Sequence, residues 1–227
     1  MAMQHRFRAV VLDLDGTLVE TAPDLCAALN HTLGRMDLPP VDLADVRHMI
    51  GDGARALLRR GLEASGVAPP DDVLETSFQT LLAYYNAHIA DHSYPFDGIV
   101  ELLSAWKTDG VKLGVCTNKM IGSTERLLAA LELSRHFDAV FGGDSLPVRK
   151  PDRRHLLAVL DALAVPPADA VMVGDSANDV ATARNAGVPV VVVSFGYTPV
   201  PAAELGADAV IDHFDELPAA LAGLGSA

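Results

Sequence analysis

Six short runs rich in Val, Leu and Ile recur along the chain, and most are followed directly by Gly, Asp, Ser or Thr. Near-continuous apolar runs of this length are typical of strands buried on both faces, as in a parallel sheet. The predicted strands are residues 9–14, 111–116, 139–141, 170–173, 189–193 and 209–211. Such a set indicates one interior sheet.

Helical repeats lie between most of these runs from Ile99 onward. Ile99, Leu103 and Trp106 share one face of a predicted helix, and Gly110 follows where that helix ends. A second leucine stripe covers residues 156–163. Strand and helix therefore alternate, which predicts an α/β fold with a doubly wound, Rossmann-like parallel sheet.

The interval between residues 14 and 111 contains no convincing strand, although a crossover connection needs only about a dozen residues. Its apolar positions instead follow helical spacing, in one helix that begins at Pro23, one around residues 57–62 and one around residues 74–89. We therefore predict an all-helical cap at residues 20–92, inserted into an α/β core of residues 1–19 and 93–227. Linkers near residues 19–21 and 91–97 would let the cap close.

Composition excludes several classes of function. Half of the 227 residues are apolar and 21% are charged, as in a globular protein with a core. Acidic residues outnumber Lys and Arg by 30 to 17, for a formal net charge of −13. Because such a surface repels nucleic-acid phosphates, we expect no nucleic-acid partner. A local cationic pocket still permits a small anionic substrate.

Location and assembly are constrained less tightly. No apolar run approaches the roughly 20 residues of a membrane-spanning helix, so we expect no membrane association and a cytoplasmic location. Cys26 and Cys116 are too few for a disulfide framework and are expected to be reduced, mostly buried thiols. Both a monomer and a homodimer are compatible with the sequence.

Candidate chemistry lies directly after the predicted strands, because ligands of parallel α/β sheets bind beyond the carboxyl ends of the strands. Four carboxylates, a lysine and a threonine follow strands in this way: Asp13, Asp15, Thr117, Lys150, Asp175 and Asp179. Two carboxylates about 4 Å apart repel by about 4 kcal/mol at an effective dielectric constant of 20. A divalent cation would offset this repulsion, and carboxylate oxygens favour Mg²⁺ over zinc.

Carboxylates, a magnesium ion, a lysine and a hydroxyl together are typical of phosphoryl transfer. One aspartate can attack phosphorus and form an aspartyl-phosphate. A second aspartate can protonate the leaving oxygen and then activate water. Alternation along an extended chain places Asp13 and Asp15 on the same side, which suits the roles of nucleophile and proton donor.

Four segments, in order, resemble the four motifs of the haloacid dehalogenase superfamily, and the resemblance covers nearly the whole chain. They are residues 11–18 (VLDLDGTL), 115–118 (VCTN), 150–152 (KPD) and 173–179 (VGDSAND). The resemblance implies a parallel-sheet core, and the inserted helices match the helical-cap subclass of that superfamily.

The resemblance also implies roles for the acids. Asp13 would be the nucleophile and a magnesium ligand, and Asp15 would be the general acid and base, giving magnesium its main-chain carbonyl. Asp175 would be the third protein contact to magnesium. Asp179 would orient a water molecule or Lys150.

The phosphoryl oxygens would be held by Thr117, the main-chain amide of Asn118 and Lys150. Residues 117–119, 141–152, 174–179 and 50–53 are similar to bacterial phosphoglycolate phosphatases, which implies hydrolysis of 2-phosphoglycolate to glycolate and phosphate. Other sugar-phosphate, nucleotide or pyrophosphate phosphatases and phosphomutases remain alternatives. An inactive phosphate-binding or regulatory module is an alternative from another class.

The predicted cap offers fewer indications. Gly51 and Gly53 precede a cap helix whose free amides can bind an anion, and Arg55 can meet a substrate carboxylate. A capped helix with a surface arginine explains the same residues equally well. Lys119 is expected to be an exposed loop lysine rather than a residue that steers anions. Tyr85 is expected to pack within the cap.

Overall fold

All six predicted strands are present, and together they form a parallel sheet. The computed structural model describes residues 6–68 and 70–224, so the ends of the predicted core, residues 1–5 and 225–227, lie outside the described residues. In chain order the strands are β1 (Ala9–Leu12), β2 (Val19–Glu20), β3 (Tyr94–Pro95), β4 (Lys112–Cys116), β5 (Ala139–Phe141), β6 (Ala170–Gly174), β7 (Val190–Val193) and β8 (Ala209–Ile211). The sheet order is β5-β4-β1-β6-β7-β8.

The helices follow the predicted alternation from residue 99 onward. In chain order they are α1 (Ala22–Gly34), α2 (Leu43–Arg47), α3 (Ala54–Ala64), α4 (Asp71–Ala87), α5 (Ile99–Thr108), α6 (Ile121–Ala130), α7 (Arg153–Leu163), α8 (Ala177–Ala186) and α9 (Leu217–Gly223). Helix α2 was not predicted, because five residues are too few to show a helical period.

Helices cover both faces of the sheet, as the doubly wound prediction requires. Val10 and Leu12 of β1 point to one face and pack in a cluster with Leu103 of α5. Val11 points to the other face and packs in a cluster with Leu156 of α7. Both faces of β1 are therefore buried, which explains its unbroken apolar sequence.

Helices α1 to α4 form a separate apolar cluster around Leu29, Leu58 and Leu81. Helices α1 and α3 pack closely within this cluster, because a Cβ added at Gly61 of α3 would lie 2.6 Å from Leu29 of α1. The interval predicted to be free of strands is therefore mainly helical, with its own small core.

One feature of that interval was predicted wrongly. Strands β2 and β3 pair in antiparallel fashion, with Val19 opposite Pro95 and Glu20 opposite Tyr94. Two residues per strand are too few to show the alternation by which a strand is recognised. This short ribbon lies at the two predicted linkers, where the chain enters and leaves the helical region.

The two cysteines are free thiols, as expected. Cys26 and Cys116 are unpaired; Cys116 is buried in the sheet and Cys26 is half-buried. Within the described residues, no helix is both long and apolar enough to cross a membrane.

Candidate active site

The predicted site residues meet at the carboxyl edge of the sheet. Strand β1 lies between β4 and β6, so Asp13, Thr117 and Asp175, which follow these three strands, come together. Lys150 reaches the same place from the loop between β5 and α7. All four side chains are buried, with Asp13 the most exposed at 6%.

Lys150 is the central cation of this group. Its Nζ lies 2.8 Å from Asp13 Oδ1 and 2.6 Å from Asp179 Oδ1. Burial opposes the charge on Lys150, but the two carboxylates outweigh that effect and raise the pKa of the lysine. Lys150 therefore stays charged and neutralises part of the acidic group.

The remaining negative charge fits a metal ion. Oxygens of Asp13, Asp175 and Asp179 all lie within 4.8 Å of one another. Burial raises the pKa of Asp13 to about 6 and that of Asp175 well above its usual value, with the neighbouring carboxylates adding to both shifts. Since the charged forms stay disfavoured even beside Lys150 and all donors are carboxylate oxygens, the site suits a further, hard divalent cation.

Asp179 has little capacity left for a metal ion. Its Oδ1 accepts from Lys150, and its Oδ2 accepts from the amides of Asp175 and Ser176 and from the Ser176 hydroxyl. Ser176 and Asp179 thereby form a capping box at the start of α8. These contacts favour a positioning role, in which Asp179 holds both Lys150 and the loop that carries Asp175.

Asp175 is held by residues that the sequence did not single out. The Tyr197 amide donates to Asp175 Oδ2 at 2.7 Å, and the Thr17 hydroxyl donates to Oδ1 at 3.3 Å. A Cβ at Gly196 would lie 2.2 Å from Asp175 Cβ, so only glycine allows this approach. Gly196 and Tyr197 come soon after β7, and this position beyond a strand was the one signal that marked them as candidates, although it does not indicate the contact with Asp175.

Tyr197 also reaches the β2–β3 ribbon. Its hydroxyl donates to Glu20 Oε1 at 2.7 Å and accepts from the amides of Thr21 and Ala22. One buried side chain therefore connects the loop that holds Asp175 to the point where the chain enters the helical region.

The carboxylate of Asp15 lies apart from the acidic group. Lys119 Nζ is 2.9 Å from Asp15 Oδ1, and the Thr21 hydroxyl donates to the same oxygen at 2.8 Å. The expectation of an exposed Lys119 was wrong: this residue is only 7% exposed. Its ammonium lies 4.4 Å from the centre of the Tyr85 ring, and the charge of Asp15 compensates for burial and raises its pKa.

A cavity lies between this edge of the sheet and the helical region. Asp13, Asp15 and Thr117 line it from one side, and Gly51 and Gly53 line it from the other.

Asn118 joins the two sides of the cavity directly, because its amide nitrogen donates to the Gly51 carbonyl at 3.0 Å. Gly53 has a positive φ of 85°, and a Cβ there would lie 3.0 Å from the Asn118 carbonyl. Both glycines thus lie at the predicted site.

The structure does not bring Arg55 to this cavity. Its guanidinium pairs with Glu75 Oε2 at 2.7 Å and lies 4.1 Å from the centre of the Phe78 ring. The Arg55 side chain is 43% exposed. The surface alternative considered for this residue is therefore the one observed.

Comparison with known proteins agrees with this geometry. The family model of haloacid dehalogenase-like hydrolases matches residues 10–193. Phosphoglycolate phosphatase from Caulobacter vibrioides is 51% identical over 93% of this chain and 89% of its own length. That from Rhodospirillum rubrum is 48% identical over 92% and 89%.

A solved structure is similar over the same extent. The crystal structure of a predicted phosphoglycolate phosphatase from Haemophilus somnus superposes with a TM-score of 0.90 at 30% identity and covers 95% of this chain and 98% of its own. A family model that spans most of the chain, together with relatives near half identity, settles the assignment. The chain belongs to the haloacid dehalogenase-like hydrolase family.

Proposed function

We propose that the protein hydrolyses 2-phosphoglycolate to glycolate and phosphate through an aspartyl-phosphate on Asp13. The observation that carries this proposal is the meeting of Asp13, Lys150 and Asp175 at one buried edge, with Asp15 lining the same cavity as Asp13. The names of the similar proteins support the choice of substrate.

In the first half of the reaction, an Asp13 carboxylate oxygen attacks phosphorus and the bond from phosphorus to the glycolate oxygen breaks. The Asp15 carboxyl gives its proton to that leaving oxygen. Lys150, already 2.8 Å from Asp13 Oδ1, holds the phosphoryl oxygens together with Thr117 and the main-chain amide of Asn118.

In the second half, the Asp15 carboxylate takes a proton from a water molecule, and the water oxygen attacks phosphorus. The bond between phosphorus and Asp13 breaks, and phosphate leaves. Asp13 is again a carboxylate and Asp15 is again protonated, so the cycle closes without any other reactant.

Magnesium is the cation that we propose for the acidic site. Asp13, Asp175 and the main-chain carbonyl of Asp15 would hold it, while Asp179 keeps Lys150 in place. The ion would offset negative charge on the phosphoryl oxygens.

We also propose the division into a core of residues 1–19 and 93–227 and a cap of residues 20–92. Two observations support it: helices α1 to α4 have their own apolar cluster, and the β2–β3 ribbon lies at both predicted boundaries. A cap joined through so short a ribbon can open to admit substrate and close to exclude water.

A phosphate-release screen over small phosphate esters, with magnesium and with chelator, tests the function. We expect 2-phosphoglycolate to be turned over fastest, chelator to abolish turnover, and Asp13→Asn to abolish it while the free energy of unfolding is retained. A higher kcat/KM for sugar phosphates or nucleotides would favour those alternatives. The absence of turnover on every ester would favour a phosphate-binding module.

A further inference from the structure

We propose that Lys119 and the Tyr85 hydroxyl bind the carboxylate of the leaving group and set the preference for carboxylated phosphate esters. This inference rests on the proposed phosphatase function and assigns its specificity to two residues outside the four motif segments given to the chemistry. It replaces Arg55, which the sequence had suggested for the same task.

Lys119 has the charge and the position for this role. It lines the cavity beside Asp15, and among the described residues that line this cavity it is the only cation. The positive charge that an anionic leaving group needs within the cavity therefore comes from Lys119. A largely desolvated ammonium interacts more strongly with an anion than one that is exposed to water.

Tyr85 supplies a second donor at the same place. It is only 2% exposed and lines the cavity. The ammonium of Lys119 interacts with its hydroxyl oxygen, and no acceptor for the hydroxyl proton lies among the described residues. A buried hydroxyl without an acceptor is unfavourable, which points to a ligand that accepts its hydrogen bond. A carboxylate has two oxygens and can accept from both residues.

The rest of the cavity wall limits the polarity of the leaving group. Its cap side is formed largely by apolar side chains, namely Leu25, Ile50, Leu57 and Leu82. Such a wall offers no partners for the several hydroxyls of a sugar, which would lose their hydrogen bonds to water there. A short acid with one charged end fits better.

The contact between Lys119 and Asp15 fixes where the carboxylate must lie. In glycolate, the leaving oxygen and the carboxylate are attached to the same carbon. When Asp15 delivers its proton to that oxygen, the carboxylate comes next to the ammonium that lies 2.9 Å from Asp15 Oδ1. A charge further along a longer leaving group would not reach Lys119 in the same pose.

The test compares 2-phosphoglycolate with ethyl phosphate, which has the same two carbons and lacks the carboxylate. We expect Lys119→Met to lower the ratio of the two kcat/KM values about 10- to 100-fold, the range for a lost hydrogen bond to a charged group. Tyr85→Phe should lower it about tenfold, and Lys119→Arg should restore part of the preference. Arg55→Met, which removes a cation outside the cavity, should leave the ratio unchanged.

Equal losses on both esters would overturn the proposal, because they would show that Lys119 serves only to hold Asp15. If Lys119→Met does not fold, the ratios for Tyr85→Phe and Lys119→Arg decide in the same way. If wild-type protein does not favour 2-phosphoglycolate, the proposed substrate is wrong. The ratio of the kcat/KM values for 2-phospholactate and isopropyl phosphate then tests the role of Lys119. If the wild type shows no preference for 2-phospholactate, the proposed role of Lys119 is wrong.

Discussion

Replacing Lys150 by methionine should cost the protein far more stability than an ordinary lysine substitution. Lys150 contacts Asp13 at 2.8 Å and Asp179 at 2.6 Å, and each contact contributes about 6 kcal/mol at an effective dielectric constant of 20. Much of this gain offsets the burial of the charges. Removing one partner of a buried pair nevertheless costs about 3–5 kcal/mol, because uncompensated carboxylates remain.

Urea unfolding in chelator at pH 8 measures this cost. That pH lies above the pKa of Asp13 in the wild type, which burial raises to about 6. Loss of Lys150 raises this pKa further, and the high pH limits how much protonation relieves the repulsion. Lys107→Met is the matched control, because Lys107 also lies 2.8 Å from a carboxylate, that of Asp138, but at the surface. A surface pair of this kind contributes about 0–1 kcal/mol.

Magnesium gives the experiment a second readout. The ion would supply positive charge where Lys150 is absent, so it should stabilise Lys150→Met more than it stabilises the wild type. Turnover should still be lost, since the phosphoryl oxygens lose the lysine that binds them. If Lys150→Met in chelator is no less stable than Lys107→Met, the proposed charge balance of the site is wrong.

Two further predictions concern residues around the site. Burial, and after it the charge of Lys150, lowers the pKa of His155 from 6.5 to about 4. As pH drops, the unfolded state therefore binds the extra proton before the folded state does, and the free energy of unfolding falls below about pH 6.5. By pH 5 this loss is about 2 kcal/mol. His155→Gln should therefore flatten the dependence of the unfolding free energy on pH between 7 and 5, and an unchanged slope would contradict this prediction. Gly196→Ala should displace Asp175 and lower kcat/KM about 10- to 100-fold. Gly223→Ala is the control, because a Cβ there meets open space, and it should leave kcat/KM unchanged. Equal activity of the two variants would refute the packing argument.

The sheet was predictable because of how it is buried. Strands covered on both faces need apolar residues at every position, and such runs stand out from the amphipathic helices between them. The prediction placed β1 and β6 next to polar segments that must lie at one edge of the sheet. The positions of Asp13 and Asp175 follow from that placement.

Short elements and contacts distant in sequence were not predictable in this way. The β2–β3 ribbon has two residues in each strand, so it contains no period to detect. The contact of Tyr197 with Asp175 depends on β7 lying beside β6, and neither residue type nor local spacing indicates it. Such contacts depend on the order of strands, which the apolar pattern does not specify.

Two alternatives stayed open for Arg55 and the expectation for Lys119 was wrong for the same reason, because both residues were judged by type rather than by direction. Ala54 and Leu57 of α3 both line the cavity, and with 3.6 residues per turn Arg55 lies about 100° from the first and about 200° from the second. The helix period therefore turns Arg55 away from the cavity.

Lys119 follows Thr117 by two residues, just as Asp15 follows Asp13. The two pairs come directly after the neighbouring parallel strands β4 and β1. The alternation that brings both aspartates to one side also brings Lys119 there beside Asp15. The expectation of an exposed Lys119 was therefore inconsistent with the alternation used to locate the two aspartates, because that alternation also places the lysine between Asp15 and the cap.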